Sequence, residues 1–473
     1  MRGLIVLAFA VLLTGCVVGP DYVRPVVDVP VAFRYEDREA KETANTEWWK
    51  QFQDPVLDAL ITEALANNKD IKIATSNIER AAGVLVQARS PLFPQIGYGG
   101  SAARERTSEA GAVPVPPIIP NPRTSYQALA SASWEIDLWG RVRRLSESAQ
   151  AELFATEEAW HGVILSLVAS VASNYIQLLG LDEQLLVSKR TLATYAESVK
   201  LFELRFKYGQ VSQMTVEQAR SQYETAAAGI PQIESQIAQT ENALSILLGR
   251  NPGPVRRGKT IHRLGLPAVP AGLPSDVLAN RPDIRQAEQN LIAANAQIGA
   301  ARALYFPTIS LTGAFGFASS DLSSLFKGPA RVWSYAGSFA GPIFTGGAIS
   351  SQVKQAEAAR NAELFSYELT IQSAFADAEN TLVASSKLVE QVQAQERLVR
   401  ANREYVRLAR LQYDGGYSPY STVLQAEQQL FPSELSYAQY RAALFISLVN
   451  IYKAMGGGWQ QVASEGKMDL PAN

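Results

Sequence analysis

Side chains able to carry covalent or metal chemistry are scarce in this chain. Its 473 residues include one cysteine, Cys16, and two histidines, His161 and His262. A zinc or iron site built from His and Cys would lack ligands, and one thiol cannot close an intrachain disulfide. His161 falls within a predicted helix and His262 in a Pro/Gly-rich linker, neither with a visible partner in the sequence. No P-loop, dinucleotide fingerprint or catalytic-triad motif is present, and Gly346-Gly347 lacks the strand context such motifs require. The expectation is a protein that is not an enzyme and holds no metal. Lys plus Arg total 43 against 45 Asp plus Glu, a net charge of −2, so the basic excess of a nucleic-acid binder is missing. A mean hydropathy of −0.04 argues against a helical membrane protein.

Cys16 sits where a thiol has a use. Met1-Arg2-Gly3 precedes an apolar run from Leu4 to Leu13, then Thr14-Gly15-Cys16. A cationic start, a short apolar run and small residues make residues 1–15 a secretory signal peptide, too short to span a bilayer. Leu13-Thr14-Gly15-Cys16 resembles the bacterial lipobox. That likeness implies a diacylglycerol on the Cys16 thiol and an N-acyl chain such as palmitate, which anchor without spanning. Val17 follows the cysteine, where enteric lipoproteins retained in the inner membrane carry an aspartate, so the resemblance implies delivery to the outer membrane. The plainer alternative is an ordinary signal peptide whose cysteine is discarded or stays a free thiol.

The elements that would position anything else come in duplicate. Ala88-Arg89-Ser90-Pro91-Leu92-Phe93-Pro94 matches Ala301-Arg302-Ala303-Leu304-Tyr305-Phe306-Pro307 at an offset of 213. Farther on, Ile164, Val171, Leu178, Leu185, Leu192, Val199 and Phe206 recur every seven residues. Ile371, Ala378, Ser385, Val392, Val399, Val406 and Tyr413 do the same, each 207 later. A sustained period of seven predicts long helices in a left-handed coiled coil, on the order of 100 Å each at 1.5 Å per residue. Gly162 to Leu181 is uncharged over 20 residues, but it continues the ladder in register and reads as coiled-coil core, not a membrane span. Both ladders end in glycine and serine, Gly209…Ser212 and Gly416…Ser418, predicting a left-handed C-cap and then a serine cap on a returning helix. Pro419 suits the first turn of that helix, and Pro231 and Pro432 should interrupt and bend the returning helices.

Between the helices the period changes to two. Tyr126, Ala128, Ala130, Ala132, Trp134, Ile136 and Leu138 alternate with polar residues. Ile309, Leu311, Phe315 and Phe317, then Trp333, Tyr335, Phe339 and Ile343, repeat the pattern, with Ile96, Tyr98 and Ala102 a weaker fourth case. The strands are expected at about 95–106, 123–138, 308–319 and 331–343, joined by exposed loops at about 107–122 and 320–330. Aromatics near strand ends suit a membrane interface. Four strands leave two open edges, which lipid does not tolerate, and bacterial barrels need at least eight strands. The chain must therefore oligomerise to span a membrane.

Trp48-Trp49, Phe52, Asp54-Pro55, Leu57, Leu60-Ile61, Ala64-Leu65, Asn68 and Asp70 resemble the opening signature of the outer membrane factor family, the TolC-like and OprM-like efflux channels. Arg281-Pro282-Asp283, Ala287-Glu288, Leu291, Ala294-Asn295-Ala296, Ala301-Arg302 and Phe306-Pro307 are similar to its mid-chain signature, and Gly416-Tyr417-Ser418, Tyr420, Val423-Leu424 and Ala426-Glu427 to its second hairpin tip. The lipobox and Gly456-Gly457-Gly458-Trp459 resemble the lipoprotein branch that serves RND-type tripartite drug pumps. The resemblance implies an α+β membrane protein and a homotrimer. Its 12-stranded β-barrel would continue into a periplasmic α-helical tunnel, working with a periplasmic adaptor (membrane fusion) protein and an inner-membrane RND pump to pass drugs outward. It divides the chain into signal 1–15, anchored segment 16–53, repeat 1 at 54–249 with its hairpin at about 141–248, an equatorial linker 250–274, repeat 2 at 275–455 with its hairpin at about 347–455, and an equatorial tail 456–473. It also implies a gate at the hairpin tips, with Tyr413, Asp414, Gly416, Tyr417 and Ser418 on one and Gly209 and Ser212 on the other. Ser418 stands where some relatives carry an aspartate, so an acidic ring would rest on Asp414; plain turn chemistry explains the same residues. The rival readings are a one-step protein-secretion duct and a lipid-anchored periplasmic coiled-coil scaffold.

Replacing Cys16 by alanine is expected to abolish incorporation of labelled palmitate into the chain in growing cells; equal labelling of the variant would remove the anchor from the reading.

Overall fold

The computed structural model describes residues 17–30, 32–33, 47–110, 116, 118–267 and 274–459. The signal peptide, Cys16, linker residues 268–273 and the tail beyond residue 459 lie outside the described residues. A 3-10 turn, Trp48–Phe52, precedes α1 (Pro55–Asn67) and α2 (Lys69–Arg89), followed by β1 (Gln95–Glu105), β2 (Arg123–Ile136), α3 (Arg141–Lys207) and α4 (Gln213–Leu247). The order then recurs as α5 (Pro274–Asn280), α6 (Pro282–Ala303), β3 (Thr308–Ser319), β4 (Arg331–Ala340), α7 (Ala348–Asp414) and α8 (Tyr420–Ala454). In the hairpin helices the repeat holds to the residue: α3 and α7 have 67 residues each, α4 and α8 have 35, and matching ends lie 207 positions apart.

Several ends differ from expectation for local reasons. β2 stops at Ile136 because Asp137 turns its carboxylate to cap α3, accepting from the Val142 and Arg143 amides at 3.0 and 2.9 Å. β4 stops at Ala340, before Gly341-Pro342, since proline has no amide hydrogen to donate to a ladder. α4 and α8 run through Pro231 and Pro432 without interruption. Both prolines are exposed, so the carbonyl each strands four residues back can face water. The loop at 320–330 is not wholly exposed, because Leu325 is buried and Phe326 meets Phe317 edge-on at 5.4 Å. Both histidines have partners that the sequence did not suggest: His161 Nδ1 lies 3.1 Å from Glu158 Oε2, and His262 Nε2 lies 3.2 Å from Glu183 Oε1.

The chain forms two compact units. One combines Asn77–Thr156, Ala287–Tyr367 and the described residues up to Val26, and it contains the sheet. All four strands join antiparallel in the order β1-β2-β3-β4. Residues 17–24 are strapped to this unit. The Val18 amide donates to Trp139 O at 3.1 Å, Asn295 Nδ2 donates to Pro20 O at 3.0 Å, and the buried Arg144 reaches Asp21 and Glu147, each at 2.8 Å. The strap crosses α6 backbone to backbone: a Cβ on Gly19 (φ +107°) would fall 2.3 Å from Gly299 Cα, so neither glycine has room for a side chain.

The other unit combines Val27–Ser76, Glu157–Gln286 and Glu368–Asn473. Its core gathers the opening motif, the uncharged stretch of α3, and α8. Trp48 stacks on Tyr452 with centroids 5.1 Å apart, while Ile164, Val171, Tyr175 and Leu178 are buried in the same cluster. At its centre the buried Asp54 caps α1 through the Val56 amide at 3.0 Å. The same carboxylate accepts the Tyr175 hydroxyl at 2.8 Å and the Lys259 amide at 3.0 Å, and the Gly258 amide donates to the tyrosine oxygen at 2.9 Å. Burial pushes the Tyr175 hydroxyl far above the usual phenol range and keeps it protonated.

Tyr175→Phe removes one donor from Asp54 and leaves the Gly258 amide without its acceptor. The expected loss is about 1–3 kcal/mol, read as a lower denaturation midpoint of the detergent-solubilised protein; an unchanged midpoint would show that this network adds nothing to stability.

Candidate functional site: hairpin tips and sheet face

The residues expected at the tips are placed by two matching turns. Gly209 (φ +70°) and Gly416 (φ +76°) each end a helix in the left-handed conformation. Their amides donate to Phe206 O and Tyr413 O at 2.9 and 3.0 Å, and the next residues, Gln210 and Tyr417, donate to Arg205 O and Gln412 O, both at 2.9 Å. This is a Schellman cap, which a β-carbon in either glycine position would strain. Ser212 occupies the N-cap of α4, but its hydroxyl meets Thr215 Oγ1 at 3.3 Å instead of a backbone amide. At the second tip the expected cap is displaced: Pro419, in extended backbone, is the N-cap of α8. Ser418 precedes it, and its Oγ is buried without a hydrogen-bond partner among the described residues.

Tyr413 joins the tips. Arg205 Nη1 of α3 donates to its hydroxyl at 2.8 Å, and the guanidinium carbon lies 5.7 Å from the ring centroid. Phe202 of α3 sits 4.1 Å from Tyr420, which meets Tyr413 edge-on at 5.5 Å. Each such ring pair is worth about 0.5–1.5 kcal/mol beyond area burial. Burial raises the Tyr420 hydroxyl above its ordinary range, and the Glu427 charge raises it further, so it stays neutral. Asp414 and Tyr417 are not drawn into this cluster. Both are exposed, and among the described residues Asp414 has no ion-pair partner.

Two buried carboxylates here hold ion pairs that the sequence did not assign, Glu427 having stood there only within the tip signature. Glu427 binds Arg410 at 2.6 Å, and Glu434 binds Arg403 and Arg190 at 2.7 and 3.0 Å, the last tying α8 to α3. They lie one heptad apart on the apolar stripe of α8, and that placement was the available signal. The first hairpin carries the equivalent of the Arg410–Glu427 pair with its charges exchanged: Glu203 and Arg220, 207 positions earlier, meet at 2.8 Å. The two sites differ in burial, since Glu203 and Arg220 are half-exposed whereas Glu427 is buried. Among the described residues no group of three or more His, Cys, Asp and Glu is placed to hold a metal ion.

The sheet presents two unlike faces. Register puts Ile96, Ala132, Tyr98, Ala130, Phe315, Trp333 and Tyr335 on one face, with Trp134, Leu311 and Phe339. The other is polar and small, with serines, threonines, Gln127, Glu135 and the Glu105–Arg123 pair, and the Ser310 and Ser338 hydroxyls lie 2.6 Å apart. Apart from Phe326 against Phe317 at one end, most of the apolar face is uncovered among the described residues: Tyr98 is 97% exposed, Tyr335 80%, Phe339 71% and Trp333 67%. In water such a patch is a liability, whereas in hydrocarbon it is the stable arrangement.

The chain matches the family described as "Outer membrane efflux protein" over residues 60–250 and 273–457. It belongs to that outer membrane efflux protein family. It is 35% identical over 478 residues to the toluene efflux pump outer membrane protein TtgF of Pseudomonas putida, with 97% of each chain covered. To the cation efflux system protein CusC of Escherichia coli it is 34% identical over 458 residues, covering 96% of this chain and 98% of that one. Among solved structures, the outer-membrane channel OprN superposes with a TM-score of 0.86 at 29% identity, over 94% of this chain and all of that one. The open state of the Neisseria gonorrhoeae MtrE outer membrane channel gives 0.85 at 32% identity, over 94% and 99%. This outer membrane efflux protein is thus an efflux channel component of the Gram-negative outer membrane, reaching into the periplasm, and its relatives are channels rather than enzymes.

Arg410→Glu sets like charges together at the buried Glu427 and is expected to cost about 3–5 kcal/mol. Adding Glu427→Arg recovers most of that loss, because the first hairpin already carries this polarity. Thermal denaturation of the single and double variants checks it, and a double variant no more stable than the single one refutes the equivalence.

Proposed function

We propose that this channel works as a homotrimer, three four-stranded sheets closing a 12-stranded barrel and the paired hairpins forming its periplasmic tunnel. The observation that carries the reading is the uncovered sheet: β1 and β4 are open margins, and the aromatic face between them is bare. Backbone groups at such margins cannot stay unpaired in hydrocarbon, so each edge takes a neighbour's. The first ladder supports the same reading. Ile164, Val171 and Leu178 are buried within one copy, while Leu185, Leu192 and Val199 are half-buried and Phe206 is exposed, leaving apolar surface toward the tip for other helices.

Lipid chains on Cys16 hold the trimer to the inner leaflet of the outer membrane. In support, Val18 is hydrogen-bonded to Trp139, and Val17 lies against Gly140, where β2 hands over to α3 at the helix-bearing end of the sheet. The tips meet a periplasmic adaptor and, through it, an inner-membrane RND-type pump that selects small molecules. The duct itself performs no chemistry and needs no cofactor. At rest the tips narrow the tunnel through Tyr413, Asp414, Tyr417 and Ser418, with Gly209, Ser212 and Gly416 setting the turns. Tyr413 is already anchored by Arg205, which leaves the exposed Asp414 and Tyr417 as the groups that face other copies.

The mass of the lipidated particle in detergent, with single-channel conductance from the same sample, tests this. A trimer that conducts is expected; a stable monomer overturns the reading. Asp414→Ala with Tyr417→Ala is expected to raise resting conductance about twofold or more, since constrictions of this kind gate by side chains. Unchanged conductance would remove these two residues from the gate.

A further inference from the structure

The sheet carries two side chains that neither conduction nor ring closure uses. On the face bearing Tyr98, Phe315, Trp333 and Tyr335, register also places Arg104, opposite Thr124, and Arg331, opposite Phe317. Both are exposed, and among the described residues neither has an ion-pair partner. The contrast with the other face is direct. There Arg123 stands across the ladder from Glu105 and pairs with it. Position adds a second regularity. Arg104 is the penultimate residue of β1 and Arg331 the first of β4, so both lie at the end of the sheet remote from its helices. β1 and β4 are also the two edge strands, and the central strands carry no arginine on this face.

An unpaired guanidinium on a lipid-facing surface is tolerated only near the interface, where it reaches toward headgroups and needs an anion. Its planar fork of donors matches phosphate oxygens two at a time. Trp333 and Tyr335, stacked 5.7 Å apart beside Arg331, are rings suited to that depth. Because the helices lie on the periplasmic side, this rim belongs to the outer leaflet. We infer that Arg104 and Arg331 form a binding site for the phosphorylated headgroup of an outer-leaflet glycolipid. The inference rests on the homotrimeric reading, in which β4 of one copy borders β1 of the next and both arginines flank one seam. The lipid then acts as a clasp across each seam.

Native mass spectrometry of the full-length assembly, after exchange from bisphosphorylated lipid A, tests the site. Wild type is expected to retain that lipid in about fivefold or greater excess over lipid A stripped of phosphate, and Arg104→Gln with Arg331→Gln to abolish the excess. Arg123→Gln, on the opposite face, leaves retention unchanged. Equal retention by the double variant, equal retention of the phosphate-free lipid, or displacement of the lipid by inorganic phosphate overturns the proposal. Conductance of the same samples is expected to stay at the wild-type level in every variant, so a failure of the channel itself registers separately from a failure of the lipid site.

Discussion

The unpaired backbone at the two margins of the sheet governs the rest of this molecule. Among the described residues β1 and β4 are each paired on one side only, leaving an outer row of amides and carbonyls without a strand partner. In water such edges are solvated or guarded by charge. In a bilayer they cost several kcal/mol per group and admit one remedy, closure into a ring. The bare aromatic face excludes water as the surroundings, and the open margins exclude a lone copy in lipid. The need for more than one copy and the passage through the outer membrane both descend from these two facts about one small sheet.

The long helices answer a different constraint. A helix of 67 residues cannot bury all of a seven-residue ladder against one partner hairpin. Burial is complete where the uncharged stretch of α3 meets α8 and the Trp48–Phe52 turn, and it fades toward Phe206. The same helix therefore packs within the copy near Tyr175 and leaves apolar surface exposed near the tips, at Leu201, Leu204 and Phe206. Between the hairpins, ion pairs and rings do the joining: Arg190 with Glu434, and Arg205 with Tyr413. The exchanged polarity of Glu203–Arg220 and Arg410–Glu427 shows that duplication preserved the position of a bridge while its charges were free to trade places.

Attachment of the remaining segments rests on single buried charges. Asp54 draws the start of α1, the Tyr175 hydroxyl and the linker amide of Lys259 onto one carboxylate, so a segment far away in sequence is held by a single buried charge. In the sheet-bearing unit, Arg144 performs the same service for residues 17–24. Buried charges of this kind are expensive unless they are paired or hydrogen-bonded: Asp54 accepts from two backbone amides and the Tyr175 hydroxyl, and Arg144 donates to Asp21, Glu147 and the Val18 carbonyl.

Periodicity made most of the architecture legible from residues alone. A seven-residue ladder can only be a long supercoiled helix, an alternation of two can only be a strand with unlike faces, and a duplicated motif reports a duplicated unit. Those patterns marked two long hairpins and the glycine turns at their tips, because repeats and glycine caps act locally. They also required oligomerisation, since the strand count alone leaves edges open. Other features depend on residues brought together from distant parts of the chain, and no local pattern encodes them. The Asp54 network, the Arg190–Glu434 tie, the partners of both histidines and the displaced cap at Pro419 are of this sort. The burial of Glu427 and Glu434 needed the folded hairpins, and only strand register puts Arg104 and Arg331 on the aromatic face of the sheet. Register and burial are properties of pairing across space, which is why they had to await the folded chain.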